Sequence, residues 1–262
     1  MDRSELAGFL RSRRERVGPR EAGLAPGGRR QTPGLRRAEV ALLAGISVDY
    51  YIRLEQGCGP RPSGQVLTAL GRALRLSDDE SDYLLGFAGR PPPRPSREVP
   101  GNVLRLLERL DAVPAMVINV RYDVLAWNRM LTALIGDLAE APPERRNTLR
   151  WLFSGRLDED KRALARRCVA DLRASGRYPE DPAVREIVAE LSAASPEFAA
   201  LWAAREVEVQ RTLTKRAVHP VAGELELDCE ILPVPGTDQR VVLYTAAPGS
   251  LSRRGLELLR DG

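Results

Sequence analysis

Apolar positions recur with two different periods along this chain. Up to about residue 110 they return every three or four residues, the spacing of helices with one buried face. Leu6, Phe9, Leu10 and Val17 share a face of a helix predicted over Ser4–Val17, which Gly18-Pro19 ends. Val40, Ala41 and Ala44 mark a short helix, and Tyr51 and Leu54 mark the next. Pro62-Ser63 opens a fourth, with Val66, Leu67, Leu70, Ala73 and Leu74 apolar through Leu76. Ser77-Asp-Asp-Glu80 reads as a capping box that starts a fifth, running to about Ala88.

Residues 90–100 carry five prolines, which forbid a regular helix and favour an extended spacer. Beyond them Asn102 is expected to cap a helix whose Val103, Leu104, Leu107 and Leu110 face inward. The period then falls to two. Ala115–Asn119 and Tyr122–Trp127 read as strands joined at Val120-Arg121. Helices follow at Asn128–Ile135, Asn147–Phe153, Asp158–Ala174, Pro182–Ala194 and Pro196–Glu206. Three strands, at Glu206–Thr214, Glu224–Leu232 and Arg240–Thr245, precede a last helix over Leu251–Arg260. Two strands, several helices and three strands is the order of a PAS-like domain, a five-stranded antiparallel sheet around a small pocket.

The stretch Arg36–Gly57 carries the most specific local chemistry. Gly45 stands where a helix must stop, because glycine tolerates a left-handed backbone. Ser47 stands at an N-cap position, Ala41 is small where two helices cross, and Ile46 fills the corner. Together these form a helix-turn-helix pattern. It resembles the Xre-type, phage-repressor-like family, whose second helix is likewise followed by Glu and Gly, here Glu55 and Gly57. Arg37 departs from the glutamine many relatives carry. Placed on that family pattern, Ser47, Val48, Asp49 and Arg53 are the outward positions expected to meet base edges. Asp49 can instead pair with Arg53 one turn later. Arg36, Arg37 and Tyr50 are candidates for phosphate contacts. Tyr51 reads as core.

A second resemblance spans nearly the whole chain. Thr32-Pro-Gly-Leu-Arg-Arg37, Asp123-Val-Leu-Ala-Trp-Asn128, Glu144-Arg-Arg-Asn147, Ser195-Pro-Glu-Phe198 with Leu201-Trp202, His219-Pro-Val with Gly223-Glu-Leu-Glu-Leu227, and Tyr244-Thr-Ala with Pro248-Gly-Ser250 look like the MmyB-like regulator family. The resemblance implies an α+β architecture. A five-helix lambda-repressor-like DNA-binding domain would occupy residues 1–89, a linker 90–100, and a PAS-like ligand-binding domain 101–262. It further implies a transcriptional regulator whose partners are double-stranded DNA and a small apolar, fatty-acid-like ligand. Relatives often place an Asp-Trp pair near residue 160, whereas Leu157-Asp-Glu-Asp-Lys161 has no tryptophan. Polar residues beside apolar strands and a charge interrupting an apolar run mark Asn119, Trp127, Asn147 and Arg150 as pocket candidates. A surface role for Arg150 and core packing for Trp127 and Trp202 are the ordinary alternatives.

Composition narrows the chemistry. Residues 1–95 hold 16 arginines against 11 acidic residues, a net charge of +5, while the rest of the chain carries −1. The basic excess thus lies with the helix-turn-helix, where a phosphate backbone needs it. Cys58, Cys168 and Cys229 show no metal-type spacing or disulfide framework, and a reducing cytoplasm is the simplest setting. With His219 as the sole histidine, a His-dependent triad or multi-histidine metal site has little to build on. No cofactor, metal or catalytic residue is expected, and no apolar run approaches the roughly 20 residues of a membrane span. A homodimer is expected, because one recognition helix reads too few bases. The alternatives are an enzymatic, lipid-processing second domain with the helix-turn-helix as a targeting module, or a protein-interaction module without a small ligand.

Overall fold

Local capping chemistry starts the N-terminal helices where their sequences direct. The computed structural model describes residues 2–24, 34–88 and 97–261. Expectations placed on Thr32-Pro33 and on most of the proline-rich stretch fall outside those residues. The chain divides into two compact units, residues 1–92 with 169–209, and residues 93–168 with 210–262.

The first unit contains α1 (Arg3–Arg16), α2 (Arg37–Ala44), α3 (Val48–Glu55), α4 (Gly64–Ala73) and α5 (Asp78–Gly86). It also holds the last residues of α9 (Glu159–Ala174), with α10 (Pro182–Ala194) and α11 (Pro196–Ala203). Asp2 caps α1 by accepting from the Ser4 and Glu5 N–H groups at 2.7 and 2.9 Å. Ser63 caps α4, and Ser77 and Glu80 close their capping box on α5 at 3.0 and 3.2 Å. Caps of this kind are each worth about 1 kcal/mol. Gly45 ends α2 in the left-handed region at φ 65°, as its position predicts. Gly34 lets the chain pass against α1; a Cβ there would lie 2.3 Å from the Arg14 carbonyl oxygen.

Leu6, Phe9, Leu10, Val40, Ala41, Tyr51, Leu54, Leu67, Leu70, Leu74 and Leu84 form the core of this unit. Val207 joins it and Ala174 packs against it, so residues well beyond α5 complete its interior. Polar contacts do the same. The buried Glu5 carboxylate accepts from Arg173, from Arg205 Nη1 at 2.9 Å and from the Tyr83 hydroxyl at 3.1 Å. Arg173 also spreads over the Trp202 ring at 3.9 Å.

The second unit is built on one antiparallel sheet of β1 (Ala115–Asn119), β2 (Val124–Trp127), β3 (Thr212–His219), β4 (Gly223–Pro233) and β5 (Gln239–Thr245), in the order β2-β1-β5-β4-β3. Period-two alternation sends neighbouring residues to opposite faces. Ala115, Val117 and Val241 pack with Val103 and Leu107 of α6 (Gly101–Arg109). Met116, Ile118, Val242 and Tyr244 face the other way. There α7 (Arg129–Ile135), α8 (Thr148–Phe153) and the first residues of α9 lie, while α12 (Leu251–Asp261) packs on β4 and α7.

Three expectations need correction. Asn102 lies inside α6, whose N-cap is Pro100, and Leu104 is exposed, so the inward stripe is narrower than the spacing implies. Tyr122 is not a strand residue: it turns at φ 68° between β1 and β2. The third strand begins at Thr212 rather than Glu206. The Glu208 and Val209 N–H groups already donate to the Ala170 carbonyl and to Asp79 Oδ2, at 3.5 and 2.9 Å.

Candidate functional site

In the first unit the exposed face of α3 is the site. The Ser47 hydroxyl accepts from the Tyr50 N–H at 3.2 Å, so its side chain starts the helix. Val48, Asp49 and Arg53 are exposed, while Tyr50 is half-buried against the core. Asp49 and Arg53 form no ion pair with each other among the described residues, which leaves both side chains open to an incoming partner.

The end of α3 is fixed by the buried carboxylate of Glu55, which the sequence marks only as a family feature. Glu55 is 1% exposed and accepts from Arg14 Nε at 2.5 Å, Arg37 Nε at 2.7 Å and the Tyr51 hydroxyl at 2.9 Å. These three bonds tie α1, α2 and α3 together. Burial pushes the Glu55 carboxyl upward, but the bonds from Arg14, Arg37 and Tyr51 outweigh it and hold its pKa below the ordinary value. Burial foremost, then Glu55 itself, raises that of the Tyr51 phenol. Arg37 is therefore engaged in bracing α3, whereas Arg36 is exposed and uses its backbone N–H to bond Glu39 at 2.7 Å.

In the second unit the sheet face away from α6 borders a cavity of about 1050 Å³. Its sheet wall is Met116, Ile118, Leu213, Leu227, Cys229, Ile231, Val242 and Tyr244. Leu134 and Ile135 of α7, Leu149 and Leu152 of α8, and Ala163, Leu164 and Cys168 of α9 close the opposite side. Charged and polar side chains border it as well, among them Asp160, Lys161, Lys215, Arg216 and Glu226. Gln210 Oε1 accepts from the Tyr122 hydroxyl at 3.1 Å and from the Cys168 thiol at 3.6 Å. Burial drives the Cys229 thiol up to about 12, with Lys215 opposing and Asp228 and Glu230 reinforcing. Burial likewise raises the Tyr244 phenol, with the Cys229 and Cys168 thiols adding to it. A volume at the upper end of ordinary ligand pockets, roughly 300–1,000 Å³, with an apolar sheet wall and polar groups at its border, has the make-up of a small-molecule site.

The four residues marked from sequence sit elsewhere than these walls. Asn119 shapes the β1–β2 turn: Oδ1 accepts from the Arg121 and Asp123 N–H groups, each at 3.0 Å, and Nδ2 donates to Asp123 Oδ2. Asn147 caps α8 and donates to the Arg121 carbonyl and Asp123 Oδ1, both at 2.8 Å. Trp127 lies under the Arg146 guanidinium at 5.3 Å, and Arg150 Nη1 donates to the Glu144 carbonyl at 2.8 Å. His219 borders the cavity with both ring nitrogens engaged. Nδ1 accepts from the Val221 and Ala222 N–H groups at 3.2 and 3.1 Å, and Nε2 faces the Ala133 carbonyl at 3.1 Å. With Nδ1 accepting, Nε2 carries the proton and donates. No group of three or more His, Cys, Asp or Glu side chains among the described residues is arranged to hold a metal ion. No described helix is long and apolar enough to cross a membrane.

The signal that finds the cavity is the same alternation that finds the strands. Ala115 and Val117 of β1 and Val241 of β5 pack with α6, and Met116, Ile118, Val242 and Tyr244 between them wall the cavity.

Comparison with known families matches two models in sequence order. A helix-turn-helix domain covers residues 5–84, and the MmyB-like transcription regulator ligand binding domain covers residues 99–259. No curated protein matches the chain.

Proposed function

Because the chain belongs to the MmyB-like transcription regulators, a DNA-binding helix-turn-helix domain joined to a ligand-sensing domain, we propose that it is a sequence-specific regulator controlled by a fatty-acid-like molecule. The observation that carries the ligand half of this reading is the cavity of about 1050 Å³, walled by one face of the sheet. Its apolar sheet wall suits an acyl chain, and the charged residues at its border suit a polar head group. The five-stranded antiparallel sheet with helices over the cavity supports a PAS-like description of this domain.

The DNA half rests on α3. Val48, Asp49 and Arg53 face outward and meet base edges in the major groove. Arg53 donates two hydrogen bonds to guanine, Asp49 accepts from a cytosine amino group, and Val48 touches a thymine methyl. Arg36 and Tyr50 lie beside the phosphate backbone and fix register. Arg37 assists through the brace it makes with Glu55. A cytoplasmic homodimer places two such helices about 34 Å apart on half-sites one helical turn apart. Ligand binding shifts the balance between DNA-competent and incompetent arrangements by its differential affinity for them.

The test has two parts. Selection of duplexes from a random pool by the full chain yields a two-fold related motif if the DNA reading holds, and no enriched motif if it does not. Native mass spectrometry of the purified chain, with analysis of what denaturation releases, shows a long-chain acid at one per chain if the ligand reading holds. Tight retention of a polar metabolite in that cavity contradicts it.

A further inference from the structure

On the cavity wall one tyrosine hydroxyl has no protein partner among the described residues. Tyr244 is nine-tenths buried and borders the cavity, and its hydroxyl forms no hydrogen bond with any described residue. A tyrosine hydroxyl on the cavity wall with no protein acceptor can donate to an acceptor on an occupant.

Strand register places a cation beside it. Cys229 pairs with Tyr244 on one side and with Leu213 on the other, and Lys215 pairs with Leu227 one row along the same face. The Lys215 ammonium lies over the Tyr244 ring, 5.9 Å from its centroid. Lys215 is exposed, borders the cavity and forms no ion pair among the described residues. Other cations border the cavity: Lys161 pairs with Asp158 at 3.4 Å and Arg216 with Glu226 at 3.0 Å, while Arg156 precedes α9 and Arg166 and Arg167 lie on it.

Resting on the reading of this cavity as a lipid site, we infer that Tyr244 and Lys215 form its acid-selective pole. The Tyr244 hydroxyl donates to the anionic head group of an amphiphile and the Lys215 ammonium neutralises it. The walls formed by Met116, Leu149, Leu164 and Val242 take the tail. The pair sets a preference for an acid over a neutral amphiphile of equal length, since only the acid gains the charge-assisted bonds.

Titration of the delipidated full chain with palmitate and with 1-hexadecanol tests this. Wild type binds palmitate about tenfold tighter than the alcohol, the size of one charge-assisted bond. Tyr244→Phe, which removes one oxygen atom, weakens palmitate about tenfold and leaves the alcohol within about threefold. Lys215→Gln removes most of the preference, and because Lys215 is exposed this variant is expected to keep the fold. Both amphiphiles bound with the wild-type ratio retained in both variants overturns the pole while leaving the lipid site standing. Equal affinity of wild type for acid and alcohol does the same. Binding of neither amphiphile to wild type overturns the lipid reading and the pole with it.

Discussion

Arg173, near the end of α9, donates to the carboxylate of Glu5 in the first turn of α1, and both side chains are buried. The two residues lie 168 positions apart, one inside the helix-turn-helix match and one inside the ligand-domain match. The DNA-binding helices are thus completed by chain that follows the proline-rich stretch. Removing one member of a buried pair leaves the other charge uncompensated, at a cost of about 3–5 kcal/mol. Glu5→Ala is expected to destabilise the first unit by that order. Arg205→Ala costs less, because Arg205 is partly exposed. Urea unfolding followed by hydrogen exchange in α1 and α11 checks the ranking, and equal losses would contradict it. A fragment ending at residue 92 is expected to exchange α1 amides faster than the whole chain does.

Glu55 gives the first unit a dependence on acid. Its folded pKa lies below the ordinary 4.5 because Arg14, Arg37 and Tyr51 hold the carboxylate. The stability it contributes is therefore complete above its unfolded pKa and is lost as the pH falls through the lower folded value. Wild type is expected to be more stable than Glu55→Gln at pH 7, and the margin is expected to shrink toward pH 3. Denaturation midpoints of the two chains across that range measure it. A constant margin would show that the carboxylate is not what Arg14 and Arg37 stabilise.

If Arg53 reads a base and Arg36 a phosphate, as proposed, their variants separate on DNA. Arg53→Ala is expected to lose about 1–3 kcal/mol of discrimination at one base pair. Arg36→Ala is expected to weaken specific and random duplexes alike and to reduce the salt slope by about 0.9. Titrations at several salt concentrations distinguish them. Equal loss on both duplexes for Arg53→Ala would remove it from the base-reading set.

The cysteines differ in reach. Cys58 is exposed, whereas Cys168 and Cys229 are buried, and burial pushes the Cys229 thiol up to about 12. At pH 8 iodoacetamide is expected to label Cys58 in the native chain and to reach Cys229 only after unfolding, because the thiolate is the reactive form. Peptide mapping after timed labelling reads this directly. Rapid native labelling of Cys229 would mean that the sheet face opens.

What the sequence revealed was local. Ser47, Gly45 and the Ser77–Glu80 box act on backbone groups within a few residues, so their spacing alone announces them. The strands β1 and β5 were visible because both of their faces are buried or wall the cavity. β3 was placed too early. It is an exposed edge strand whose start is set by pairing with β4 and by the distant partners of Glu208 and Val209. Glu55 was seen as a family mark, but its brace needs Arg14, 41 residues away. Asn119 and Asn147 drew attention as polar residues among apolar ones. They are such because the turn around Tyr122 needs its backbone bonded, a demand that only the assembled turn displays.

Ligand control requires that filling the cavity change the affinity for DNA. The most direct measurement is the affinity of the delipidated full chain for its selected duplex, titrated with and without saturating palmitate at fixed salt. A ligand-controlled regulator is expected to change its Kd by at least about fivefold, the lower range of allosteric coupling. An unchanged Kd with the cavity shown to be filled would contradict it.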